Sequence, residues 1–501
     1  MSDVLMLNPP FVDDFVRSAR WDARSRGRVQ RHPDYLAVAT AVLLEAGIDA
    51  RLVDACAENR RREEVRALLL REKPSYVVMH AATPSIDNDL SYCALAKETA
   101  GAKTILVGQH VTAEPADTFR RSGGALDFIA LGEYDHTVRE LVSGAPAEKT
   151  RGLLFADAEG KLVRTPSRPF LDVNELPFPA WRFIDPSWYR DGGKLHPFLT
   201  LISGRGCFAR CTFCRDPQLM YGHENRYRDP ELVVDEMEYD LALFPKLREI
   251  MFETDTFTAN REHVENVCRE ILGRRLETRI RWSCNVRTDV KRDLLRLMRR
   301  AGCRMLMIGF EFGTQAALDA VRKGTKLERT TEFARDAADL GFTLHGCFMI
   351  GAPGETVESA RATIDYAKSL PLDTIQISGI AAYPGTELHE WAKREGHLIP
   401  KDWKEYLDEN HEQVTVLGYP GLPKEKIDEL IDQGLKEFYL RPKQILKMAA
   451  SIRGVGDVKR KLYGFRSFLD AMAVARKKRG TEGGRFSPKG APRPSRPGAE
   501  R

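Results

Sequence analysis

The sequence predicts an α/β protein in three successive parts: an N-terminal doubly wound parallel sheet, a partial (β/α)6 barrel and a C-terminal helical region. Three observations carry this reading. Short Val/Ile/Leu-rich runs alternate with amphipathic stretches over residues 3–143, and six more such units follow from Phe198. The chain is long enough, at 501 residues, for two or three domains with cores of their own.

In the first part, the strands VLMLN, IDARLVDA, SYVVMHA, KTILVGQH and DFIALGE are separated by helical AVATAVLLEAG, REEVRALLLREK and NDLSYCALAKETA and by a helix near Ala116–Arg121. In a sheet of this kind ligands sit beyond the carboxyl ends of the strands, where the strand order switches. The turns that fall there are Asn8–Phe11, His80–Ser85, Gly108–Thr112 and Gly132–Asp135. Residues 150–195 are irregular, with a small hairpin in LLFADAEGKLVRTP and a Pro- and aromatic-rich crossing segment. The barrel strands are FLTLISG, EIMFETD, IRWSCNVR, RMLMIGFEFG, TLHGCFMIG and TIQISGIAAYP. The expected divisions are therefore 1–149, a linker at 150–195, a barrel at 196–399, a helical region at 400–475 and a disordered basic tail at 476–501.

Composition narrows the function. No apolar run is long enough to span a bilayer, and MSDVLMLNPPF lacks the basic start of a signal peptide, so a cytoplasmic location is expected. The net charge of +5 is small and sits largely in the tail, so nucleic-acid binding is not expected. Nine scattered cysteines argue against a disulfide framework.

Three of the nine are clustered. Cys207, Cys211 and Cys214 lie in GRGCFARCTFCRDP, directly after the first barrel strand, with C-x3-C-x2-C spacing. Three thiolates on one short loop reach three irons of a cubane 4Fe–4S cluster and leave the fourth open to an exogenous chelator. Gly204 and Gly206 let the backbone wrap closely. The alternatives are a zinc site, for which no fourth ligand pair is evident, or three unrelated core cysteines.

This loop and the strands after it resemble the radical S-adenosylmethionine (SAM) superfamily over about residues 198–390. The resemblance implies a cluster whose open iron binds SAM and a 5′-deoxyadenosyl radical that attacks an unactivated carbon. It assigns SAM contacts to Phe213, to Glu253, Thr254 and Asp255, to Arg287, to Glu311 and to Gly351 in HGCFMIGAPGET, with AAYPGTEL resembling the end of the sixth strand. Phe312 stands where the family usually has Ser. Read as ordinary structure, Glu253 and Asp255 would cap the following helix, and Glu311 would be a buried acid paired with Arg287.

Upstream, LNPPF, HAATPS, VGQH and ALGEYD resemble the strand ends of the cobalamin-binding domain found in cobalamin-dependent members. That assigns cobalamin contacts to Asn8, Pro9, Thr83, Ser85, Gly108, Gln109, His110, Gly132 and Glu133. The D-x-H-x-x-G motif is absent, so His110 is read as a polar contact or helix-start residue rather than a cobalt ligand. The resemblance implies C-methylation of a lipid, tetrapyrrole or natural-product substrate, with radical cyclisation or rearrangement as the alternative. It also implies an external low-potential donor of flavodoxin or ferredoxin type. A non-catalytic cobalamin- or cluster-binding sensor is the reading from a different class. The Arg-rich segment SARWDARSRGRVQRHPDYL is either a cover for the site or a solvated loop.

Overall fold

A computed structural model of the chain describes residues 3–17, 22–25 and 27–450. The expected helix in SFLDAMAVARKK and the basic tail lie outside these residues, as does part of the Arg-rich segment.

Seven strands form the first sheet, in the order Ala50–Asp54, Val4–Asn8, Tyr76–His80, Lys103–Val107, Phe128–Ala130, Leu153–Ala156, Leu162–Arg164. The first five run parallel because each is returned by a helix. From Val4–Asn8 the chain pairs first to one side and then to the other, so the switch in strand order falls between Asn8 and His80. The hairpin expected in the linker 150–195 belongs to this sheet, adding antiparallel to Phe128–Ala130. Its first strand buries Leu153, Leu154 and Phe155, which gives the short edge strand an apolar partner. Asp22–Arg24 of the Arg-rich segment pairs antiparallel with Phe15–Arg17 just before it. Arg17 is buried there, paired with Asp89 at 2.8 Å and with Ser85 Oγ at 2.7 Å. Within the segment Asp22 is buried and pairs with Arg215 at 2.7 Å, so this described part packs against the protein rather than standing free in solvent.

The second sheet has six parallel strands in chain order: Phe198–Leu201, Glu249–Phe252, Arg281–Val286, Cys303–Glu311, Thr343–Ile350 and Thr374–Gly379. Its first and last strands do not pair, so the barrel is partial. Alternation along the fifth strand sorts the side chains: Leu344, Phe348 and Ile350 are buried under the helices, while His345, Cys347 and Met349 are half-buried and face the lumen. Below them the Lys194 ammonium lies 3.0 Å from Met251 Sδ, 3.0 Å from Ser283 Oγ and 3.3 Å from Met307 Sδ, side chains of three successive strands. The crossing segment thus forms the floor of the lumen.

Of the region after residue 400, the helix Lys424–Tyr439 pads the open side of the barrel. Its Tyr439 hydroxyl accepts from Ile375 N–H at 2.9 Å and donates to Ile375 C=O at 2.7 Å, satisfying an edge that no strand covers.

The two sheets are joined by buried charge. Arg205, after the first barrel strand, donates to Glu133 at 2.9 Å and to Asp135 at 2.6 Å, with all three side chains under 5 % exposed. Arg226 adds a second cation to Glu133 at 3.1 Å. Replacing Arg205 by Ala strands the buried Asp135 carboxylate and leaves Glu133 with Arg226 as its one cation, so Arg205→Ala is expected to cost about 3–5 kcal/mol in urea denaturation.

Candidate active site

The cysteine loop is shaped by backbone return. Gly204–Arg205 pairs antiparallel with Arg226–Tyr227. A Cβ on Gly204 would lie 2.5 Å from Arg226 O, and one on Gly206, at φ +86°, would lie 2.1 Å from Glu224 O. Both glycines are required, but what approaches them is the returning chain and not a cluster. Asp255 accepts from Gly206 N–H at 3.1 Å, and Gln218 Nε2 donates to the carbonyls of Cys211, Thr212 and Cys214 at 2.8–3.2 Å. Cys207 and Cys211 are buried and Cys214 half-buried, gathered with Ala209 and Phe213 in one small cluster. Burial pushes the Cys211 and Cys214 thiols up, with Cys207 adding to both and Cys211 and Asp216 adding to Cys214. Bound iron would reverse that penalty by holding the thiolates. Among the described residues no three Cys, His, Asp or Glu side chains converge as for a single ion. A cubane fits such a donor set, because each sulfur binds a different iron.

Thr256, which sequence reading missed, places its hydroxyl 3.3 Å from Cys207 Sγ. Its two predecessors hold the scaffold: Asp255 through Gly206, and Thr254 through Ser203, whose N–H and hydroxyl both lie 2.9 Å from Thr254 Oγ1. Glu253 is half-buried at the end of its strand.

The pairing of Glu311 with Arg287 that an ordinary structural reading would give is not found. Glu311 binds Lys323 Nζ at 2.6 Å, and Arg287 donates instead to the backbone carbonyl of Lys323 at 2.8 Å while lying over the Phe208 ring. The reason is local: Glu311 ends its strand at φ +63°, rare for a residue with a Cβ. Gly309 makes room, since a Cβ there would lie 2.5 Å from Glu311 Oε1 and 3.0 Å from Lys323 Nζ. Burial opposes the Lys323 ammonium, but Glu311 and Cys211 outweigh it and hold its pKa above the ordinary value. Lys323 was missed because one cation in the loop RKGTK carries no pattern.

Phe312 is fully buried against Leu318, Ala352 and Tyr383, and Phe213 packs on the same cluster. The residue that departs from the family pattern therefore serves the core beside Phe213. Gly351, at φ +102°, gives its N–H to Glu355 at 2.6 Å and its carbonyl to the Tyr419 hydroxyl at 2.7 Å. Glu355, also missed, accepts Ala352 N–H at 3.0 Å and is pushed up by burial to about 7.

On the first sheet, the nine residues assigned to cobalamin divide into two groups. Several are occupied within the protein: Ser85 by Arg17 and Asp89, Pro9 C=O by Arg17 and Cys56, Gln109 by Asp216 at 2.9 Å, and Gly132 N–H by Thr112 at 3.1 Å. Both Glu133 oxygens are taken by Arg205, Arg226 and Leu171 N–H, so its carboxylate joins the sheets. Asn8 and His110 present unsatisfied groups. Asn8 bonds Asp54 at 2.8 Å through its amide nitrogen, yet its Oδ1 is buried without a partner. His110 meets Thr83 through Nδ1 at 3.3 Å, leaving Nε2 orphaned beside the Trp403 ring. His80, not anticipated, has an orphaned Nδ1. Burial keeps both rings neutral, at about 4 for His80 and about 3 for His110. Gly108, at φ +110°, passes so close to His80 that a Cβ would lie 2.8 Å from its Nε2. Orphaned polar atoms at three adjacent strand ends fit a polar ligand with amide groups, as a corrin is.

Comparison with known proteins agrees. The profile of the Radical SAM superfamily matches residues 201–367, and that of the B12 binding domain matches residues 29–142. An uncharacterized methyltransferase of Pyrococcus horikoshii is 28% identical over 405 residues, covering 80% of this chain and 86% of its own. The anaerobic magnesium-protoporphyrin IX monomethyl ester cyclase of Rubrivivax gelatinosus is 27% identical over 375 residues, and the match spans 72% of this chain and 66% of the cyclase. In fold, the chain is similar to the radical SAM methyltransferase TsrM of Kitasatospora setae, with a TM-score of 0.69 at 18% identity over 93% of this chain and 99% of that one. It is also similar to the cobalamin-dependent enzyme OxsB, with a TM-score of 0.70 at 15% identity over 93% and 72%. The two profiles bring their cofactors: a 4Fe–4S cluster and SAM for one, cobalamin for the other. A cobalamin-type sheet bolted by buried arginines to a cysteine-bearing partial barrel makes this chain a member of the cobalamin-dependent radical SAM enzymes.

Proposed function

We propose that the chain is a C-methyltransferase acting on an unactivated carbon held in the barrel lumen. The observation that carries this is the bond from Gln109, at the fourth strand end of the first sheet, to Asp216, two residues beyond Cys214. That bond ties the region read as the cobalamin side to the end of the cysteine loop, which supports transfer from one cofactor to a substrate between them.

Cys207, Cys211 and Cys214 are the cluster ligands in this reading, with Thr256 beside the first sulfur. Lys323 and Arg287 supply cations for the SAM carboxylate, Glu311 the acceptor for its ribose, and Phe213 and Gly351 the flanks of its adenine; Glu253 faces its amino group, while Thr254 and Asp255 act as scaffold. Asn8, His80, Gly108 and His110 line the cobalamin side, and Gly132 its rim. When bound, the cluster and SAM supply a carbon-centred radical, and cobalamin a methyl group. The chain's own task is to hold the substrate and keep water from the reacting carbon. Met307, His345, Cys347 and Met349 form the lumen wall, and His345 is kept neutral by burial, at about 4, with Nδ1 2.8 Å from Thr374 Oγ1. A wall of thioether, thiol and neutral imidazole suits a largely apolar substrate, lipid or tetrapyrrole among them. An external flavodoxin- or ferredoxin-type donor completes the scheme. Cyclisation is the second reading, favoured by the likeness to the Rubrivivax cyclase. The sensor reading has no role for so complete a set of site residues. Among the described residues no helix is long and apolar enough to cross a membrane, and a cytoplasmic location is part of the proposal.

Anaerobically reconstituted protein, given cobalamin, SAM and a strong reductant, is expected to form methylcobalamin and 5′-deoxyadenosine together. Formation of 5′-deoxyadenosine alone, with cobalamin bound by absorbance, moves cyclisation ahead; neither product from protein with an intact cluster sinks both. In equilibrium dialysis Lys323→Met should weaken SAM binding by about tenfold or more with iron content unchanged, because it removes one cation and leaves Glu311 uncompensated. Glu355 has a folded pKa raised to about 7 from 4.5, so its protonated form favours the fold. That contribution is complete below pH 4.5 and is lost as pH rises through 7. Glu355→Gln should flatten this part of the stability profile in urea titrations.

A further inference from the structure

We propose that the loop 399–416 is a strap across the cobalamin site and that Trp403 within it governs how long the cofactor stays, taking the strand ends of the first sheet as the cobalamin side. The loop lies beyond both profile matches, residues 29–142 and 201–367. Its base is closed by backbone pairing: Leu398 bridges Leu417, and Ile399 N–H donates to Val416 C=O at 2.9 Å. Between these ends it carries one short helical turn, Trp403–Tyr406, whose Tyr406 hydroxyl donates to Ala382 C=O at 3.0 Å, just past the sixth barrel strand. The excursion adds no strand to the barrel, and the later helix Lys424–Tyr439 already pads the open side.

What the loop does reach is three of the four turns at the strand ends of the first sheet. Trp403–Tyr406 packs on Thr83–Ser85. The Trp403 ring stands edge-on to His110, with centroids 5.3 Å apart. On the other side His411 meets Phe11 edge-on at 5.2 Å and accepts Arg24 N–H through its carbonyl at 2.8 Å, while Leu407 joins Phe15 and Ala23 in a small apolar cluster. Directional bonds latch the Trp403 end. Its Nε1 donates to Asp117 at 2.8 Å, and Arg121 joins both Asp117 at 2.8 Å and Asp402 at 3.0 Å. Partial burial opposes the Asp117 and Asp402 charges, but the bonds from Trp403 and Arg121 outweigh it and hold both carboxyls below their usual range. The latch is therefore charged at neutral pH. The turns it spans carry the buried Asn8 Oδ1, His80 Nδ1 and His110 Nε2, which no group of the strap satisfies. Polar atoms of this kind call for a ligand or water. A cofactor that meets them is enclosed by the strap and leaves by way of the latch. A ring fixed through its N–H is a pre-organised wall, which lengthens residence by slowing release.

Full-length reconstituted protein would be loaded with radiolabelled cyanocobalamin and chased with an excess of the unlabelled cofactor. Trp403→Ala is expected to release the label about tenfold or more faster than the parent, with iron content and SAM binding unchanged. Trp403→Phe keeps a ring but loses the bond to Asp117, and its release rate should fall between the two. Because losing the indole also weakens packing, melting temperatures are measured in parallel. Asp402→Asn loosens the latch at a part-exposed position, so it should speed release with little change in melting temperature. Unchanged release in both Trp403→Ala and Asp402→Asn, whatever their melting temperatures, would overturn the proposal and leave the strap a fastening between the sheets. Slower release would overturn it too, by marking the strap as a competitor for the site. A parent that retains no cobalamin would overturn the reading of the strand ends as well.

Discussion

The arrangement of the whole chain depends on a neutral quartet of buried charges. Glu133 lies in the turn after the strand Phe128–Ala130 of the first sheet and Asp135 opens the helix that follows, and Arg205 and Arg226 belong to the two short strands that frame the cysteine loop. Two carboxylates and two guanidiniums cancel, and fork-shaped donors satisfy several oxygens at once, which is what makes such burial tolerable. The fixed direction of these bonds does something apolar packing alone does not. It sets the cysteine loop at one position and angle against the first sheet, where a slip of an ångström would leave charges unpaired. Two cofactors that must act on one carbon need that sort of constraint.

Inside the barrel the same logic recurs at smaller scale. Glu311 adopts a backbone conformation that most residues avoid, and it persists because Lys323 holds the carboxylate while Gly309 yields the space. Strain at a strand end is retained where several neighbours over-determine it. Phe312, next in sequence, turns the other way and fills the core beside Phe213, so the chain keeps a rigid aromatic wall on one side and a charged pair on the other.

Much of this was legible beforehand, and the reason is periodicity. Strand and helix alternation reports burial directly, so all eleven strands expected in the two sheets appear at their places, and the C-x3-C-x2-C loop declares itself by spacing. What escaped were partnerships. Lys323 lies twelve residues from Glu311, His80 and Thr256 sit in turns full of polar residues, and nothing in the sequence says which polar group meets which. Glu133 illustrates the limit well: its place at a strand end suggested a ligand contact, yet the arginines that claim it lie more than seventy residues away. The hairpin at 153–164 was seen but its home was not, because a sheet edge has no sequence signature.

The unpaired sides of the barrel have one more consequence. The last strand is finished by a helix and not by another strand, and the Tyr439 phenol of that helix makes two hydrogen bonds to the Ile375 backbone. A closed barrel fixes its girth through strand number and stagger; this one does not. Changing the width of what fits within it requires exchanging bulk along one helix, with every strand pair left intact. The breadth of what this lumen accepts can thus shift by side-chain substitution at the seam, while the cofactor end, bound by the charge quartet, stays where it is.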